Sequence, residues 1–194
     1  NRERYTRKLL HISKVLDNLG EGKFPLLIGL CEVENRDVVA DLANKTVLAD
    51  ANYGIVHADS PDARGIDVAL LYRKDSFRLS RNAFFPVHLK NGETTRDILY
   101  CEGIWGREDT LHIFVCHFPS MRGGESKSEW KRVEAASVVK QKVDSIQGIC
   151  PRAMILIMGD LNGRANTLAQ KRLKIQNPES GAIQSENLYN TGYY

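Results

Sequence analysis

The chain has 194 residues, 42% of them hydrophobic, enough for one ordinary globular domain with a sizeable core, and residues 1–194 are expected to form a single domain. Lys and Arg number 27 against 24 Asp and Glu, and the formal charge of +3 excludes a strongly basic nucleic-acid coat while leaving room for a local positive groove. No stretch approaches the ~20 consecutive apolar residues of a membrane-spanning helix, so no span is expected.

The opening segment sets Tyr5, Leu9, Ile12, Leu16 and Leu19 at alternating gaps of four and three, the period of a helix with one buried face, and Gly20 supplies its stop. Pro25 to Val33 (PLLIGLCEV) is a continuous apolar run, which reads as a strand buried on both faces. A short helix from Arg36 to Lys45 follows. Tyr53 to Ala58, Arg64 to Arg73, Phe77 to Leu79, Arg96 to Trp105 and Thr110 to Phe118 are β-rich runs separated by turn residues such as Asp62 and Lys90-Asn91-Gly92. They read as a meander of mostly antiparallel strands. Ser126 and Glu129 have capping-box spacing ahead of a helix whose apolar face carries Trp130, Val133, Ala136, Val139, Val143 and Ile146. A last strand is expected from Ala153 to Asn162. From Gly163 to Tyr194 the chain is polar, with Leu168, Leu173, Ile175, Ile183 and Leu188 as its apolar anchors. The four cysteines, at 31, 101, 116 and 150, have no C-x-x-C spacing, and the first three lie in apolar runs where a reduced thiol acts as a small hydrophobe.

Three apolar strands end in polar residues: Glu32, His117, and Asp160 with Asn162. If the strand ends share one edge, these side chains converge on one site. Asp160 and Asn162 are two apart and project to the same side in extended chain, where an acid orients water and an amide holds a phosphate oxygen. G-D-x-N is equally good β-turn chemistry. Glu32 sits in the strand expected to be interior, where a carboxylate is costly unless paired, hydrogen-bonded or on a hard cation such as Mg²⁺, and the plainer reading is a strand-end Glu in solvent or paired with an Arg. His117 suits acid–base work, phosphate donation or metal ligation, and a structural histidine bonded to a backbone carbonyl is the plainer reading.

The segments IGLCEVEN, RGIDVALLYR, TRDILYCEG, VCHFPS and IMGDLN stand in the order and approximate spacing of the endonuclease/exonuclease/phosphatase superfamily, which the chain resembles from about Pro25 to Asn162. The resemblance implies an α/β fold: a four-layer sandwich of two mixed, mostly antiparallel sheets packed face to face with helices outside. It further implies a divalent cation, Mg²⁺ or Mn²⁺, held by Glu32. By the same resemblance Asp160 orients or activates water, and Asn162 contacts the scissile phosphate. His117 matches a strand-end histidine that binds phosphate or acts in acid–base catalysis. Arg96 looks like a basic phosphate contact, against the plainer reading of a solvated Arg, and Asp67 and Arg64 lie near the site.

The family pattern also has an Asn on a strand before Asn1 and a terminal Asp-His pair after Tyr194, so the expectation is a chain lacking both ends of the family domain, with residues 1–194 by themselves nearly inactive and the activity belonging to the full-length protein. The first residue is Asn rather than Met, and localisation is left open. The function implied is a metal-dependent phosphoesterase on phosphodiesters, with a phosphoester substrate, possibly nucleic acid, as partner. The alternatives are a phosphatase or phosphodiesterase on lipid or small-molecule phosphates, and a binding protein that kept the fold.

Overall fold

The computed structural model describes residues 2–20, 22–164, 167–176 and 188–189. Helix α1 (Arg2–Asn18) is followed by strand β1 (Leu27–Val33), helix α2 (Arg36–Asn44), a 3-10 turn (Val47–Ala51) and strands β2 (Tyr53–His57) and β3 (Asp67–Arg73). Strands β4 (Phe77–Phe85), β5 (Ile98–Trp105) and β6 (Asp109–His117) come next. Helix α3 (Glu125–Ile149), strand β7 (Met154–Asp160), helix α4 (Leu168–Arg172) and the short strands β8 (Ile175–Gln176) and β9 (Leu188–Tyr189) complete them.

The strands form a three-stranded sheet in the order β1-β3-β2, a four-stranded sheet in the order β4-β5-β6-β7, and the small β8-β9 pair. The first sheet is antiparallel; the second is antiparallel except for β6 and β7, which run parallel across the α3 crossover. Only β4, β5 and β6 are a meander, because β3 lies between β1 and β2.

Alternation along the strands builds the layers. Val68 and Leu70 of β3 meet Leu99 and Cys101 of β5 and Ile113 and Val115 of β6 in a core between the sheets. Ala69 and Leu71, one residue out of step, face the other way and pack with Leu9 of α1 and Val39 and Leu42 of α2. Tyr100, Phe114 and Cys116 likewise turn to Ala135, Ala136, Val139 and Val143 of α3. The result is the expected helix–sheet–sheet–helix sandwich. Gly29 lets the sheets close near β7, since a Cβ there would lie 2.6 Å from Met158 Sδ.

Several sequence expectations need correction. The Pro25–Val33 run does not form a strand buried on both faces: among the described residues β1 is an edge strand, and most of its positions are only half-buried. An apolar run fits an edge because it packs on both faces yet lacks a neighbour along one side. The capping box at Ser126 is also overruled, since α3 begins two residues earlier than that box implies, at Glu125 with Gly124 as its N-cap. Glu129 accepts instead from the Leu168 amide at 2.8 Å, tying α3 to the start of α4. Strand β4 runs six residues further than expected, to Phe85. In the C-terminal stretch Leu173 is buried, Leu168 is exposed, Ile175 and Leu188 pack at the margin of the α3 core, and Ile183 lies outside the described residues. The thiols are free, with Cys101 and Cys116 buried. No helix is long and apolar enough to cross a membrane among the described residues.

Candidate active site

The parallel pairing of β6 with β7 sets His117 opposite Asp160 and Cys116 opposite Gly159. Gly159 has φ 121°, and a Cβ there would fall 2.0 Å from the Cys116 carbonyl oxygen. Only glycine permits so close an approach, and it comes one residue before the acid. Strand β7 then ends at Asp160. Asn162 adopts a left-handed conformation with φ 46°, and its backbone N–H donates to Asp160 Oδ1 at 2.8 Å. The expectation that Asp160 and Asn162 share one side of an extended strand is therefore replaced by the turn reading. The turn brings acid and amide together all the same, and Asn162 Nδ2 donates to the Phe118 carbonyl at 3.0 Å.

His117 is buried, with Nε2 3.9 Å from Asp160 Oδ2. Its Nδ1 is buried and has no hydrogen-bond partner, so the ring is not held by a backbone carbonyl. Burial pushes its pKa below the ordinary value and the Arg96 guanidinium acts in the same direction, while Asp160 and Glu32 oppose them. The imidazole is therefore neutral at neutral pH, and the 3.9 Å contact is a polar approach rather than an ion pair.

Glu32 is exposed, which corrects the expectation of an interior carboxylate and accords with the plainer reading of a strand-end Glu in solvent. The register of β1 against β3 shifts between Cys31 and Val33, and Glu32 occupies this bulge with φ 58°. A bulge inserts one residue, so Val33 turns back to the helix-side core and the extra side chain is ejected at the strand end. Glu32 has no hydrogen-bond or ion-pair partner among the described residues, so the rival pairing with Arg64 or Arg96 is not formed there; both arginines pair with Asp62. Cys31, just before it, donates from Sγ to the Cys116 carbonyl at 3.5 Å, which ties the end of β1 to the end of β6.

Arg96 is not a solvated side chain. It is 4% exposed, and donates from Nε to the His117 carbonyl at 3.2 Å, from Nη2 to the Phe118 carbonyl at 2.7 Å and from Nη1 to Asp62 Oδ2 at 2.8 Å. It props the strand end that carries His117. Burial would raise the Asp62 pKa, but the hydrogen bonds from Arg96 and the Arg64 amide outweigh it and hold the carboxyl below its usual range. Asp62, read from sequence only as a turn residue, was thus missed as the counter-charge.

Asp67 sits buried at the start of β3, its Oδ1 accepting from the Ser60 amide at 2.7 Å and its Oδ2 3.1 Å from His57 Nε2. With Asp59 these make a His57/Asp59/Asp67 group whose ligand atoms lie within 4.8 Å of one another, a second place able to hold a cation. Asp97, beyond Arg96, has a buried Oδ1 without a partner, and burial, then the Asp67 carboxylate, raises its pKa.

The strand ends do converge: Glu32, His117, Asp160 and Asn162 come to one end of the paired sheets, with Arg96 behind His117 and the Asp62–Arg64 turn beside it. What sequence reasoning missed, Asp62 and Gly159, had a signal only for the second, since a glycine inside an apolar strand marks a close backbone approach.

Two packed sheets with helices outside form an α/β sandwich consistent with the fold of the endonuclease/exonuclease/phosphatase superfamily. The Endonuclease/Exonuclease/phosphatase family model matches residues 1–193, and the chain belongs to that family, whose members are generally metal-dependent phosphoester hydrolases. Among solved structures, TDP2 from C. elegans aligns at 22% identity with a TM-score of 0.63, covering 84% of this chain and 44% of that one. The human Nocturnin catalytic domain with bound sulfate anion aligns at 17% identity and TM-score 0.63, covering 84% and 60%. D. rerio TDP2 complexed with single strand DNA product aligns at 16% identity and TM-score 0.59, covering 80% and 54%. At these identities the likeness is one of fold, and the chain spans about half the length of these structures. No curated protein matches the sequence.

Proposed function

We propose that the protein is a phosphodiester hydrolase that works with Mg²⁺ or Mn²⁺, and that the observation carrying this reading is the convergence of Glu32, His117, Asp160 and Asn162 at one strand edge. The donors suit a hard cation: Glu32 is an exposed, unpartnered carboxylate held at a backbone conformation that costs about 1 kcal/mol or more for a residue with a Cβ. When bound there, the cation supplies charge stabilisation to the phosphoryl and leaving oxygens.

The remaining roles belong to the chain itself. Asp160 has one oxygen tied by the Asn162 amide, which leaves Oδ2 turned towards His117 to align the attacking water. Neutral His117 offers an N–H to a phosphoryl oxygen, and the carboxamide of Asn162 offers another. Arg96 spends three N–H groups on protein acceptors and has two left for a phosphate oxygen. D. rerio TDP2 with its single strand DNA product favours a polynucleotide over a lipid substrate, as does the polar, basic cleft beside the site.

The test is hydrolysis of plasmid DNA, RNA, phospholipid and inositol phosphates by the full-length protein with Mg²⁺, Mn²⁺ or chelator. Turnover should require metal and fall ~10²–10³-fold in Asp160→Asn, the range seen when one preorganised group is removed. Undiminished turnover in excess chelator would sink the proposal.

A further inference from the structure

A cleft of about 160 Å³ opens beside these residues, lined by Arg64, Thr95, Arg96, Ser120, Arg122 and Lys131 among others. Its four cations face two carboxylates, Asp62 and Glu93. Both carboxylates are engaged, Asp62 with Arg96 and Arg64, and Glu93 with Lys131. Arg122, exposed at the rim, has no partner among the described residues. Thr95 is 3% exposed, and its Oγ1 is buried without any hydrogen-bond partner. Surplus positive charge and an unused hydroxyl together suit an anion with several acceptor oxygens and repel a cation.

The cleft shares a wall with the proposed catalytic residues. Arg96 lines it while holding the His117 and Phe118 carbonyls, and Ser120 lies three residues past His117. At ~3.3 Å per residue that is roughly 10 Å of extended chain. A polynucleotide carries one phosphate per nucleotide, so a strand gripped at His117 has neighbouring phosphates to place in the adjoining cleft.

We propose that this cleft holds a second phosphate of a polynucleotide strand, close along the strand to the one at His117 and Asp160, so that the protein selects strands over isolated phosphodiesters. The inference rests on the phosphodiesterase reading above and narrows its substrate class. A monomeric diester has nothing to place there; an oligonucleotide does.

The test compares wild type, Arg122→Gln and Thr95→Val on two substrates with Mg²⁺: bis(4-nitrophenyl) phosphate, which has one phosphate, and an oligonucleotide without terminal phosphates. Binding of the same oligonucleotide in chelator is followed by fluorescence anisotropy over a salt series. Arg122→Gln alters an exposed side chain, and Thr95→Val keeps the shape while removing an unsatisfied hydroxyl, so both should fold. Each variant should lower the oligonucleotide-to-diester ratio of kcat/KM about 10-fold, mainly through KM. Arg122→Gln should also flatten the salt dependence of binding by about one phosphate contact. Methylphosphonate linkages flanking the cleavage point should bring wild type down to the variants and cost the variants nothing more.

Unchanged ratios and binding in both variants overturn the cleft while diester hydrolysis leaves the catalytic reading standing. A gain seen only when the oligonucleotide carries a terminal phosphate overturns the assignment to an internal one. If wild type hydrolyses neither substrate but the variants still weaken oligonucleotide binding, the cleft stands as a strand-binding site and the catalytic reading falls.

Discussion

Replacing Arg96 by Met removes a buried cation but keeps most of its bulk, and the structure sets the size of the loss. The side chains of Arg96 and Asp62 are 4% and 6% exposed and 2.8 Å apart. Removing one partner of a buried pair typically costs about 3–5 kcal/mol, because the other charge is left behind. Here Asp62 keeps the Arg64 amide at 3.0 Å and its guanidinium at 3.4 Å, and the Phe118 carbonyl keeps Asn162 Nδ2. These place the cost near the lower bound, about 3 kcal/mol. For a chain of this length each kcal/mol moves Tm by roughly 2–4 °C, so Tm should fall by about 6–12 °C in chelator, followed by circular dichroism. Arg96→Lys should lose roughly half as much, since an ammonium keeps the charge but not the fork that reaches three acceptors. Asp62→Asn combined with Arg96→Met should show a coupling of about 1–3 kcal/mol. A Tm change under about 2 °C in Arg96→Met, with a large rise in KM, would refute the strut and make Arg96 foremost a substrate ligand.

Glu32→Gln should weaken Mg²⁺ affinity, read by metal titration of activity, and leave Tm in chelator nearly unchanged because Glu32 has no protein partner. Glu32→Gly should hold or raise that Tm by up to about 1 kcal/mol of stability, since φ 58° is free for glycine; a clear drop in either variant would mark Glu32 as structural. Gly159→Ala should cost about 3 kcal/mol or more through positive φ and overlap with Cys116, and unfolding at wild-type denaturant concentrations would contradict that approach. His117 has a lowered pKa when folded, so its contribution to stability is complete above the unfolded value of about 6.5 and is lost as pH falls towards the folded value. His117→Gln should therefore flatten the decline of Tm between about pH 6.5 and 5, and an unaltered slope would argue that the ring is not buried neutral.

Much of this protein was legible residue by residue. Apolar period marks α1 and α3, and apolar or β-rich runs between turn residues mark most of the strands, because a face that must be buried repeats with the geometry of its own element. The order of the five motifs pointed to Glu32, His117, Asp160 and Asn162 before any contact was known. What period does not carry is the identity of the neighbour. An apolar run reads alike in the middle of a sheet and at its edge, so the placement of β1 appeared only in the tertiary pairing. The bulge at Glu32 depends on register against β3, and register belongs to two strands at once. Arg96 and Asp62 are 34 residues apart. In the sequence they are a charge before a strand and a turn residue; folding removes water from both, and a buried guanidinium must then find its acceptors wherever the fold has brought them.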